Sequence, residues 1–153
     1  MHHYFDDKAA LFTEAIGSPA RPDQLVRAVL AGPRDRIGET LVRVLLTTLD
    51  DEPAHTRAVQ IIRTALGHEF AARLLRQFIV REVLHRIAET IGGDDAELRA
   101  TLAASQVVGL MVVRYGIRAE PLVSTPVDEV VRRVGPALQW YLVGLPADEI
   151  RGR

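Results

Sequence analysis

Glu82 and His85 form the one pair whose spacing suggests chemistry, an E-x-x-H that sets a carboxylate and an imidazole on the same face of a helix. Di-iron bundles hold metal with this spacing, but they need two such motifs and further glutamates, and only one occurs here. His55 and His68 have no partner at ligand spacing. The chain has no cysteine, which removes thiolate metal sites, disulfides and a cysteine nucleophile together. No G-x-S-x-G, glycine-rich phosphate loop or H-E-x-x-H is present, so nothing points to acyl transfer, phosphoryl transfer or zinc hydrolysis. The expectation is therefore no metal, no cofactor and no enzyme.

The elements that would position any site are helical almost throughout. Asp6 and Asp7 can cap a short helix from Lys8 to Ile16, which presents Leu11, Phe12 and Ile16 before Gly17 and Pro19 end it. Asp23 begins a second helix with Leu25, Val26, Val29 and Leu30 on one face, broken by Gly32-Pro33. Ile37, Leu41, Val44, Leu45, Thr48 and Leu49 repeat at the same period until "DDEP". A run from Pro53 to Leu66 aligns Val59, Ile62 and Leu66. After Gly67 a longer helix carries Phe70, Leu74 and Phe78, then Val80, Leu84, Ile87 and Ile91, and "GGDD" closes it. No alternating strand pattern is supported by turn signals, so the fold class is all-α.

The last two helices differ from the others. "AELRATLAASQVVGLMVVRYGI" begins amphipathic, with Leu98 and Leu102, and from Val107 to Val113 becomes apolar on all sides, with Ala103, Ala104, Ser105 and Gly109 interspersed. A helix apolar all round must be covered on two sides. The final helix, about Pro126 to Val143, sets Val127, Val130, Val131, Val134, Leu138, Tyr141 and Leu142 at spacings of three and four, and Gly135-Pro136 should kink it. Such a pair fits either a self-complementary surface, closing with a second copy into a four-helix bundle, or an ordinary core.

At 153 residues, 48% hydrophobic and 25% charged, the chain is sized for one domain with a substantial core. "VVGLMVV", its longest apolar stretch, falls short of the ~18 residues of a spanning helix, and no signal-peptide pattern opens the chain, so neither membrane nor export is expected. The formal charge of −1 excludes nucleic-acid binding by bulk charge. A reducing cytoplasm fits the absence of cysteine.

"HHYFDDKAALFTEAI" resembles the segment after the recognition helix in TetR-family transcriptional regulators, in which an aromatic pair, a lysine and a Leu-Phe pair recur; here these are Tyr4-Phe5, Lys8 and Leu11-Phe12. "RYGIRAEPL" (114–122) and "GPALQWYL" (135–142) are similar to the C-terminal domains of actinobacterial members. The resemblance implies that His3, Tyr4 and Lys8 contact operator phosphates in a full-length protein, with Phe5 and Phe12 packing the DNA-binding head. It implies a head remnant and connecting helix over 1–17, and an effector-binding and dimerisation domain over 18–153. The family's helix-turn-helix does not precede His2, so operator DNA is an expected partner only of a longer form that carries it.

Further implications of the resemblance are a TetR C-terminal-like bundle, cytoplasmic location, repressor function and a homodimer built by the last two helices through Val107, Leu110, Met111, Arg114, Val131, Val134, Leu138, Tyr141 and Leu142. A small apolar or amphipathic effector would lie between Leu45, Leu49, Ile62, Leu66, Phe70, Leu74 and Phe78, oriented by Gln77, Arg81 and Gln106. The alternative is a stand-alone helical carrier or protein-interaction module without DNA binding.

Overall fold

Glycine and proline punctuate the chain where its helices end. In the computed structural model, which describes residues 22–144, α1 (Pro22–Leu30) stops at the Gly32-Pro33 turn, and a single 3₁₀ turn (Arg34–Arg36) leads into α2 (Ile37–Thr48). The side chain of Asp51 accepts the Ala54 N–H and starts α3 (Glu52–Gly67), with Pro53 in the first turn where its missing donor costs nothing. His68 performs the same capping through Nδ1 for α4 (Glu69–Arg76). This helix runs on through a π-helical segment, Gln77–Leu84, into α5 (His85–Ile91), until Gly92 and Gly93 at φ 91° and 86° reverse the chain. Finally α6 (Ala96–Met111) continues through a second π-helical segment, Val112–Ile117, and a connection over 118–126 leads to α7 (Val127–Val143). The described residues contain no strand, and the domain is all-α. The expected helix from Lys8 to Ile16, and with it His3, Tyr4 and Lys8, lies outside the described residues.

The closest crossing joins α2 to α7. A Cβ added to Gly38 would lie 2.1 Å from the carbonyl oxygen of Gly135 and 2.5 Å from the Gln139 nitrogen. One added to Gly135 would lie 2.9 Å from the Glu39 Cα. The two backbones touch because neither helix carries a side chain there. α7 runs as one helix from Val127 to Val143 with Pro136 inside it, and Gly135 serves the crossing. Gln139 fastens it, since its Oε1 accepts the Gly38 N–H at 2.8 Å, one of the free donors of the first turn of α2, while its Nε2 donates to the Arg34 carbonyl at 3.1 Å. An exposed ion pair, Arg43 to Asp128 at 2.6 Å, lies farther along the same two helices.

Around this crossing Val42, Leu46, Leu138 and Leu142 are fully buried, joined by Val29 of α1 and by Leu84 and Ile87 from the long helix. α6 adds Ala100, Ala103, Ala104, Val107, Leu110 and Met111 to the same core. The helical stretch Ala96–Ile117 is long and apolar enough to cross a membrane by length and composition alone, which the reading of "VVGLMVV" missed, but its inward face is spent on this core. Arg99 holds the helix ends together, donating to the carbonyls of Asp94 (2.8 Å), Gly92 (2.7 Å) and Leu142 (2.5 Å).

Gly38→Ala and Gly135→Ala should each lower stability by about 2 kcal/mol or more, because the added methyl meets backbone rather than a side chain that can move aside. Urea denaturation of the variants against the parent measures this.

Candidate ligand-binding site

Between α1, α2, α3, the first π-helical segment and α6 lies a cavity of about 180 Å³. Its walls follow from helix register. α1 contributes Leu25 and Val29, and α2 contributes the stripe beside its glycine crossing, Leu41, Val44, Leu45, Thr48 and Leu49. α3 turns Ala54, Ala58, Ile61 and Ile62 inward, α6 supplies Val107 and Met111, and Phe78, Ile79, Val83 and Leu84 come from the π-helical segment. A π turn holds an extra residue, so it shifts which side chains face inward and opens the helix locally, as in the bond from His85 N–H back to the Val80 carbonyl.

Only two polar side chains line the cavity among the described residues. Thr48 donates its hydroxyl to the Val44 carbonyl at 2.6 Å, so its proton is already committed. Arg57 stands on the outer edge, exposed. Behind the α3 wall the His55 ring stacks on Tyr115, with centroids 4.8 Å apart and planes at 11°, and His55 Nδ1 lies 3.1 Å from the Leu49 carbonyl. The Tyr115 hydroxyl is buried with no hydrogen-bond partner among the described residues. Burial pushes the phenol pKa above its ordinary 10.0, against a smaller opposing pull from Arg114.

The outward faces of α6 and α7 make a second feature. Leu98 is 57% exposed, Leu102 39% and Trp140 48%; Ile117 and Val143 are exposed with them, and Ser105 and Gly109 continue the α6 stripe at helical spacing.

The sequence matches the tetracyclin repressor-like C-terminal domain over residues 35–142. This chain belongs to the TetR family. A crystal structure of a TetR-family regulator from Streptomyces coelicolor A3 is similar to it, with 30% identity and a TM-score of 0.56, over 79% of this chain and 82% of that one. No curated protein matches the sequence. The chain is thus a domain of a family of transcriptional regulators, whose members are generally not enzymes.

Within this TetR-family domain, Leu45, Leu49, Ile62 and Phe78 line the cavity, as the sequence pattern suggested for an effector site. The other expected wall residues do not. Leu66 is 84% exposed, because the inward face of α3 passes through Ile62 and Ala65 and leaves Leu66 on the outer side. Phe70 and Leu74 are half-buried on α4, before the π turn shifts the register, and do not reach the lining. Gln77 and Arg81 face solvent, and Gln106 is half-buried outside the cavity. His85 lies 3.8 Å from Glu89.

The residues expected at a dimer contact need a larger correction. Val107, Leu110, Met111, Val131, Leu138 and Leu142 are buried within the protomer, and Val134 and Tyr141 are half-buried against the same core. Arg114 is only 8% exposed and donates to the carbonyls of Leu122 (2.8 Å) and Thr125 (2.9 Å), which ties down the connection to α7. The buried members of this set are spent within the protomer, while Val134 and Tyr141 keep part of their surface outside. Periodicity identifies a stripe without saying which neighbour it serves. Sequence reasoning also missed Arg57, an arginine among many, and Val83 and Met111, whose inward direction depends on the π turn and on the depth of α6.

Tyr115→Phe should leave stability unchanged or raise it by up to about 1 kcal/mol, since it removes a buried hydroxyl that has no well-formed hydrogen bond among the described residues. In the parent the folded state keeps the phenol proton to higher pH than the unfolded chain does. Tyr115 therefore makes stability fall as pH rises above 10.0, a decline that should be shallower in the variant in alkaline denaturation curves.

Proposed function

We propose that this domain, residues 18–153, is the effector-binding and dimerisation part of a ligand-responsive transcriptional repressor, and that residues 1–17 connect it to a DNA-binding head. The observation that carries this reading is the cavity, whose walls are almost wholly apolar and come from α1, α2, α3, Leu75 of α4, the first π-helical segment and α6. α1 is the described helix nearest the N-terminal segment, and it contributes Leu25 and Val29 to the cavity. The exposed ion pair Asp23–Arg86, 2.6 Å, also joins it to α5.

A ligand seated against Leu25 and Val29 favours one placement of α1 over another. That preference is transmitted along the N-terminal segment, where His3, Tyr4 and Lys8 are proposed to approach operator phosphates. Regulation follows from the difference in ligand affinity between the two placements, and DNA affects ligand affinity by the same factor. Dimerisation uses the outward faces of α6 and α7, centred on Leu102 and Trp140, and the protein acts as a homodimer in the cytoplasm, as is typical of the family. These faces supply the exposed apolar surface that a lasting contact needs.

Two measurements test the reading. Toluene at ten times its Kd should stabilise the protein by about 1.4 kcal/mol, and Leu45→Trp, which fills the cavity, should abolish the effect. An unchanged melting temperature in the parent would contradict an effector cavity. In sedimentation equilibrium the parent should weigh twice its 16.9 kDa and Leu102→Arg should be monomeric, whereas a dimer unaffected by the arginine would place the interface elsewhere.

A further inference from the structure

The cavity also indicates the chemistry of its ligand. Arg57 is the one charged side chain in its lining, and among the described residues it has neither an ion pair nor a hydrogen bond. Arg57 and Ile61 belong to two hollows at once, since both also border an open groove on the outer side of α3 with Glu52, Thr56, Gln60 and Thr64. The Arg57 side chain therefore spans the line where an apolar interior meets a polar exterior, with almost no polar surface turned into the cavity itself.

Inside that boundary a polar group has little to bond to. The Thr48 proton is taken by the Val44 carbonyl, and every other lining residue is apolar. A ligand with a polar end must leave that end at the boundary, because burying it unpaired costs several kcal/mol. No carboxylate lines the cavity to receive a cation, and Glu52, in the groove, makes no ion pair with Arg57. An anionic oxygen pair is the group that the guanidinium fork meets best.

Size limits the rest of the molecule. A cavity of roughly 150 Å³ with aliphatic and aromatic walls takes up benzene, and this one, at about 180 Å³, has room for a body of that order. We propose that the effector is a compact apolar acid, with its hydrocarbon or aromatic body in the cavity and its carboxylate on Arg57 at the rim. This rests on the reading of the cavity as the effector site and adds the charge of the ligand to it.

Three probes that share one body separate the two ideas: phenylpropionate, phenylpropanol and phenylpropylamine, titrated calorimetrically into the whole chain. The acid should bind at least about threefold tighter than the alcohol, as expected for a partly exposed ion pair, and the amine weakest. Arg57→Gln should bring the acid to the level of the alcohol without moving the alcohol, and Arg57→Lys should restore part of the difference. Equal binding of acid and alcohol to the parent, or a preference that survives Arg57→Gln, would overturn the assignment of the anion, while alcohol binding lost in Leu45→Trp would keep the cavity reading intact. If none of the three bound, both would fall. Because Arg57 is exposed, its variants should melt with the parent, so a change in affinity is not a change in folding.

Discussion

The backbone contact between Gly38 and Gly135 sets the geometry on which the other helices depend. With no side chain between them, α2 and α7 approach until a methyl group would overlap a carbonyl oxygen. Gln139 then satisfies the Gly38 N–H from a residue 101 positions away, so the start of α2 is capped by a helix far along the chain. This fixes α2 in rotation. The stripe from Gly38 through Val42 and Leu46 is buried in the core, and the neighbouring one, through Val44, Leu45 and Thr48, is left to form a wall.

The cavity survives because the neighbours of α2 cannot close on it. α3 brings alanines to the shared surface, and the long helix enters it through a π turn, which displaces the backbone and spreads Phe78, Ile79, Val83 and Leu84 over the opposite wall. Close-packed interiors seldom leave space of this size, and unfilled apolar volume lowers stability. A guest that filled it would recover that loss and so couple occupancy to stability. Arg114, buried and bonded to the carbonyls of Leu122 and Thr125, ties down the connection between α6 and α7.

Much of the fold was legible in the residues. Gly32-Pro33, "DDEP" and "GGDD" mark the helix ends where the structure has them, and the absence of alternation indicated an all-α chain. Four wall residues could be named because an apolar stripe on a helix in the middle of a small domain has few places to point. What periodicity cannot carry is partnership. The same spacing describes Leu138 and Leu142, buried at home, and Leu98 and Leu102, facing out, and only packing separates them. The π turns were hidden because a 3.6-residue template absorbs one extra residue as noise. Gly135 reads as a helix breaker until its neighbour is known to be Gly38. Arg57 stands out only when the hollow beside it is seen to contain no other charge.

The central claim is that the space between α1, α2, α3 and the first π-helical segment admits an apolar guest. Diffraction from crystals exposed to bromobenzene, recorded at the bromine edge, tests it most directly. The account predicts one anomalous peak enclosed by Leu45, Phe78, Val83 and Met111. Bromine found only on the outward faces of α6 and α7, or an empty cavity in crystals that have taken up the compound, would contradict it.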